Sequence, residues 1–172
     1  MSEEQQAPQD QGQDIPPPEI LDPLEPAEDL SQYDAQADVI IGAGVVAAAG
    51  IGWLPAFIDT AWLVASNSGM ISALALNYKY KFTGDNVRGF LFRLLEDGGL
   101  TFASVRVLTA VIQMTGIGFL PGVAINGTMN AALTLAIGKA AQHYFKARGN
   151  VPDDELISFF KGTLKSLGIT TK

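Results

Sequence analysis

Two long runs of apolar and small side chains dominate the chain. From Val39 to Ile58 no residue is charged, and from Thr60 to Tyr78 again none is, so Asp59 alone interrupts forty positions. A second run, Val107 to Gly138, covers 32 residues without a charge. Both exceed the roughly 20 apolar residues that span a bilayer. Each is broken near its middle by a proline, Pro55 in the first and Pro121 in the second.

The breaks coincide with an internal repeat. Gly50-Ile51-Gly52-Trp53-Leu54-Pro55 recurs 66 positions later as Gly116-Ile117-Gly118-Phe119-Leu120-Pro121, with one aromatic exchange. Proline disfavours helix at the residue before it, and the flanking glycines permit left-handed backbone. Each run therefore reads as a helical hairpin bent at this motif. Between the hairpins, Val87, Phe90, Leu91, Leu94 and Leu95 follow the spacing of one buried helical face over Asp85–Asp97, with Asp85 as N-cap and Gly98-Gly99 as the stop. A last helix starts near Pro152, where Asp153, Asp154 and Glu155 favour the positive end of the dipole. Its apolar face is Leu156, Phe159, Phe160, Leu164 and Leu167. No window alternates strictly, so strands are not indicated. The fold class expected is all-α, with two Gly/Pro-bent apolar hairpins related by the repeat, amphipathic helices and a disordered N-terminal tail.

The arms of the hairpins are short for a membrane crossing. Val39 to Trp53 is 15 residues, about 22 Å as a helix against a hydrocarbon core of about 30 Å. Thr60 to Tyr78 is long enough, but Ser66, Asn67, Ser68, Ser72 and Asn77 give it a polar stripe. Lys79 and Lys81 close the first hairpin, and Arg106 and Lys139 bracket the second. Bases on both flanks suit hairpins that enter a membrane and return to its cytoplasmic side. Trp53, Trp62, Tyr78 and Tyr80 are candidate interfacial anchors. The competing reading is a water-soluble bundle whose central helices are apolar all round because they are buried.

Composition adds a division of charge. Residues 1–38 hold eleven acids and no Lys or Arg, whereas 39–172 hold seven acids and eleven bases. Six of the nine prolines lie before position 38, among them Pro16-Pro17-Pro18. Such a stretch cannot bury enough apolar surface to offset its ordering entropy. Residues 1–37 are expected to be a disordered acidic tail, and 38–172 one folded domain. The body is mildly basic, which suits anionic head groups, while the acidic tail argues against nucleic acid. The start Met1-Ser2-Glu3-Glu4 has no basic or apolar leader region, so the cytoplasmic side is the expected address.

Candidate chemistry is sparse. Cysteine is absent, which removes disulfides, thiol catalysis and Cys-ligated metals. Gly42-Ala43-Gly44-Val45-Val46-Ala47 after Val39-Ile40-Ile41 matches the start of a dinucleotide fingerprint, but Pro55 would break the crossover helix and no acid closes a second strand. Close helix–helix approach explains Gly42, Ala43, Gly44, Ala47 and Ala48 more simply. Gly138-Lys139 lacks the first glycine and the Ser/Thr of a Walker loop. His143, the single histidine, has no partners for a triad or a metal, and reads as a surface or helix-capping residue. No enzymatic role, cofactor or metal is expected. The structural and interaction candidates are Gly52, Pro55, Asp59, Gly118, Pro121 and Asn126. Asp59 and Asn126 read as caps of the helices that leave the turns, or as intramembrane polar groups.

With these residues assembled, the body resembles the YcjF-like domain family, a bacterial domain of unknown function associated with GTP-binding proteins. The matching features run in order: Leu54-Pro55 with Asp59, Met70-Ile71 with Leu74 and Tyr78, Gly84, and Leu94-Leu95. Gly118-Phe119-Leu120-Pro121-Gly122 follows, then Thr134-Leu135-Ala136-Ile137-Gly138 and Tyr144-Phe145. The resemblance covers residues 40–165. It implies an α-helical, membrane-attached unit, found fused to or encoded near small GTPases, and the expected address is the cytoplasmic side of a bacterial inner membrane. This chain has no GTPase domain, so such a partner would act in trans.

The function expected is a non-catalytic, membrane-associated helical scaffold or adaptor, with the lipid membrane and a GTPase in trans as partners and homo-oligomerisation left open. Two alternatives stand beside it. One is a pore-forming or transport component with Asp59 and Asn126 in a polar path. The other is a soluble helical bundle that binds an apolar ligand.

Overall fold

The computed structural model describes residues 19–20, 30–50, 56–98 and 119–169; of 19–20, 56–61 and 119–126 it describes the backbone. The fold is all-α. Among the described residues the elements are β1 (Glu19–Ile20), α1 (Ser31–Gly50), α2 (Ala56–Asn77), β2 (Tyr80–Lys81), α3 (Gly84–Glu96), α4 (Phe119–Lys146) and α5 (Asp153–Ser166). β1 and β2 pair antiparallel, Glu19 opposite Lys81 and Ile20 opposite Tyr80. Strand pairing was not expected, because two residues are too few to show alternation.

Helices α1, α2 and α4 form a three-helix bundle. Asp34 and Asp38 of α1 meet Lys146 and Lys139 of α4, and Ile41 lies against Gly138. Near the far end of α1, the Ala49 carbonyl approaches Gly127 so closely that a Cβ there would sit 2.9 Å from it. Positions rising along α1 thus meet positions falling along α4, and the two run antiparallel. Tyr78, just past the end of α2, reaches Asp34, while Met70 of α2 packs against Gly44, so α2 also opposes α1 and runs parallel to α4. Gly127 lets the backbones approach, and Gly44 makes room for the Met70 side chain. Gly42, Ala43 and Ala47 face outward instead.

Helices α3 and α5 close one end of this bundle. On α3, Val87, Phe90, Leu91, Leu94 and Leu95 are all buried, as their spacing requires. Fully burying each large side chain stabilises the fold by about 1.5–3 kcal/mol. The rings of Phe82, Phe90, Tyr144 and Phe145 meet there, with Phe82 edge-on to Phe145 at 5.3 Å. Arg93 pairs with Asp153 and ties α3 to α5. Helix α3 is capped by Thr83, whose Oγ1 accepts from the Asn86 N–H. The expected cap, Asp85, instead stands in the first turn, where its charge suits the dipole. Helix α5 starts behind Pro152 and ends at Gly168 (φ 81°), with Ile169 N–H returning to the Leu164 carbonyl. Leu156, Phe160 and Leu164 are buried, whereas Phe159 and Leu167 are partly exposed.

Helix α1 ends at Gly50 and α2 begins at Ala56, and the bend expected at the first copy, over 51–55, lies outside the described residues. In the second copy Phe119, Leu120 and Pro121 already belong to the first turn of α4. Proline costs nothing there, because first-turn N–H groups have no intrahelical partner. The tail expected over 1–37 lies largely outside the described residues. Its boundary moves, because α1 begins at Ser31 and takes in Tyr33, Asp34 and Ala37.

Candidate functional site

Six side chains clasp the end of the bundle where α1 starts. Lys146 Nζ lies 2.7 Å from Asp34 Oδ2, and the Tyr78 hydroxyl donates to Asp34 Oδ1 at 2.7 Å. One turn on, Lys139 Nζ lies 2.7 Å from Asp38 Oδ1 and donates to Gln142 Oε1 at 3.0 Å. Gln142 Nε2 in turn faces Asp38 Oδ1 at 3.4 Å and the Tyr78 hydroxyl at 3.5 Å. The i, i+4 spacing of Asp34 and Asp38 puts both on one face of α1. The hydrogen bond from Lys146 holds the Asp34 carboxyl below its ordinary value, opposed by partial burial and helped by Tyr78. Lys139 does the same for Asp38. Burial, followed by donation to Asp34, pushes the Tyr78 hydroxyl well up.

A second polar contact lies within the bundle. Asn67 is 1% exposed, donates to the Leu63 carbonyl at 2.8 Å and to Thr134 Oγ1 at 3.3 Å, and has no hydrogen-bond partner at Oδ1. The polar stripe expected on α2 is therefore not a wet face. Ser66 and Ser72 donate to carbonyls of their own helix, at Leu63 and Ser68, and Asn77 donates to the Tyr33 carbonyl on α1.

Away from the clasp the helices turn apolar surface outward. Val39 and Val46 of α1 are 64% and 73% exposed, and Trp62 and Leu76 of α2 are 54% and 64% exposed. Val39, Gly42, Ala43, Val46, Ala47 and Gly50 share one exposed, uncharged face at helical spacing. Trp62 is thus available as an anchor, whereas Tyr78 and Tyr80 are core residues; Trp53 lies outside the described residues. His143 stands in the last turn of α4, as expected of a residue near a helix end. Its ring stacks on Phe159 at 4.6 Å, with Nε2 3.4 Å from Glu155 Oε1.

The candidates chosen from the repeat do not converge on this site. Gly52, Pro55 and Gly118 lie outside the described residues. Asp59 is the fourth residue of α2 and Asn126 the eighth of α4, so neither occupies the N-cap position assigned to it; Pro121 is the third residue of α4. Asp34 was missed because its acidic surroundings placed it in the tail, and Asp38 because it stands at the tail's border. The signal was their spacing immediately before an uncharged helical run. Among the described residues no three His, Cys, Asp or Glu side chains are placed to hold a metal ion.

A family model described as a domain of unknown function, DUF697, matches residues 26–167. The match starts ahead of α1 and ends beyond α5. No curated protein and no solved structure matches the chain.

Proposed function

The chain belongs to the DUF697 family, a domain of unknown function, and on that premise we propose that it is a non-catalytic helical scaffold held at a membrane surface. Its contact is the outward face of α1, with Trp62 of α2 beside it. The supporting observation is the separation of charge from this face. All charged side chains of α1 and α4 lie in the clasp half, and from Val39 to Gly50 helix α1 shows solvent a large uncharged surface. Contiguous exposed apolar surface marks an interaction site.

The dimensions favour one leaflet. No helix among the described residues is long and apolar enough to cross a membrane. Asp38 to Gly50 rises by about 18 Å, a little over half of a hydrocarbon core of about 30 Å. Lys139 and Lys146 stand at the level where head groups would lie, and long basic side chains suit that interface. Asp59, in the first turn of α2, is the one charged residue of the described helices at the opposite end. It limits the depth of entry, because a carboxylate costs about 2.5–3.5 kcal/mol at the bilayer centre on insertion scales. The address that goes with this reading is the cytoplasmic face of a bacterial inner membrane. A GTPase acting in trans rests on the sequence resemblance alone, and is part of the proposal in that sense.

Fractionation of cells that express the full chain tests the reading. The protein should stay with membranes through an alkaline carbonate wash and leave them in detergent. A monodisperse species in the detergent-free soluble fraction would overturn membrane association.

A further inference from the structure

The short strand β2 offers a different kind of surface. Helix α2 ends at Asn77, and Lys79 then adopts φ 63°, which swings the chain out of the helix and into two extended residues. Tyr80 is 1% exposed and stacks on Phe145 at 5.8 Å, so the strand is bolted to the aromatic core. Lys81 is exposed. A second cation, Arg148, is close enough to Tyr80 to offset part of the rise in its hydroxyl pKa that burial causes. An extended edge that carries exposed Lys81 is suited to an extended, acidic segment, with main-chain hydrogen bonds giving affinity and charge giving choice.

The edge carries such a segment already. Glu19 lies opposite Lys81 and Ile20 opposite Tyr80, in antiparallel register. Between Asp14 and Glu28 the chain has five acids, and no Lys or Arg precedes Lys79. Two paired residues form a short ladder, and such pairing is easily exchanged. We propose that the β2 edge is a docking site for an extended acidic peptide, and that Glu19–Ile20 of the same chain occupies it in cis. A partner in trans would place an acid opposite Lys81 and a β-branched residue opposite Tyr80, and would displace the tail. This site is independent of the membrane face of α1.

The test uses the full chain and a fluorescent synthetic peptide of residues 13–28. Ile20→Pro removes a backbone donor from the cis strand and should free the edge. The peptide should bind the Ile20→Pro chain at least tenfold more tightly than the unaltered chain. Lys81→Glu in the Ile20→Pro background should reverse that gain, and a scrambled peptide of the same composition should bind at least tenfold more weakly. If Ile20→Pro perturbs the helical circular dichroism, Glu19→Lys replaces it, since it weakens the latch by charge alone. Equal binding to released and unaltered chains, no binding to the released chain, or equal binding of the scrambled peptide would each overturn the proposal.

Discussion

Lys146, in the last turn of α4, sits 2.7 Å from Asp34, in the first turn of α1, across 112 positions of sequence. The same carboxylate accepts the buried Tyr78 hydroxyl. Asp34 therefore has two separable roles, one electrostatic and one as a hydrogen-bond acceptor. Asp34→Asn keeps an acceptor for Tyr78 and loses only a partly exposed ion pair, which is worth about 0.2–1 kcal/mol. Asp34→Ala also leaves the hydroxyl proton without its acceptor, and the loss should grow to about 1–3 kcal/mol. Urea unfolding of the two variants measures the gap; equal losses would show that Tyr78 does not depend on Asp34.

The clasp also fixes the pH dependence. Asp34 and Asp38 are held below their ordinary value of 3.8, so the folded state binds fewer protons than the unfolded chain as acid is added. Their contribution is complete above about pH 4 and fades as pH falls through the folded values. The double variant Asp34→Asn/Asp38→Asn should flatten the difference in urea midpoint between pH 5 and pH 3. Tyrosine sets the opposite limb. Burial, with a smaller push from Asp153, moves Tyr144 up to about 12, so the folded state keeps a proton that the unfolded chain loses near pH 10. Stability should fall between pH 10 and 12, and Tyr144→Phe should make that fall shallower. A fall of unchanged steepness in Tyr144→Phe would assign the alkaline limb to other groups.

Asn67 and Thr134 give a third expectation. Each is 1% exposed, and Asn67 Oδ1 has no hydrogen-bond partner. Thr134→Val alone removes one of the two acceptors of the buried Asn67 amide, leaving the Leu63 carbonyl, and should cost about 1–3 kcal/mol. Replacing both partners by apolar groups, as in Asn67→Leu/Thr134→Val, should recover that loss or exceed it. Thermal unfolding of the single and double variants decides the matter. A double variant less stable than Thr134→Val would mean that the polar pair itself stabilises the bundle.

How far the sequence could foresee this depends on the range of each interaction. Val87, Phe90, Leu91, Leu94 and Leu95 were legible because the helical period is local. The end of α1 at Gly50 and the start of α2 at Ala56 flank the expected break at Pro55, which itself lies outside the described residues. The Asp34–Lys146 and Asn67–Thr134 pairs were not legible, since nothing in a local window links residues 112 or 67 positions apart. Composition misled at the start of α1, where acids that looked like tail have cations waiting on α4. Tyr78 and Tyr80 looked like interface anchors because they border an apolar run, yet Tyr78 follows buried Leu74 by one helical turn and the turn at Lys79 sends Tyr80 into the core as well. Thr83 took the cap from Asp85 because either residue type caps well and only backbone geometry chooses between them.

The outward face of α1 supplies the last expectation, and it separates folding from function. Val46 is 73% exposed, so its side chain does little for the bundle. Val46→Glu should change urea stability by no more than about 0.5 kcal/mol, as surface substitutions usually do. Entry of the same face into a lipid leaflet would then have to desolvate a carboxylate. A cost of about 1.4–3 kcal/mol there lowers binding roughly ten- to a hundredfold. Zwitterionic vesicles remove attraction between the lysines and anionic lipid, so co-sedimentation with them isolates the apolar contribution. Phe159→Glu is the matched control, because Phe159 lies on α5 beneath the His143 ring and outside the proposed contact. Loss of sedimentation in Val46→Glu but not in Phe159→Glu assigns the lipid contact to α1. Unchanged sedimentation in Val46→Glu would remove that face from the contact, whatever the full chain does in cells.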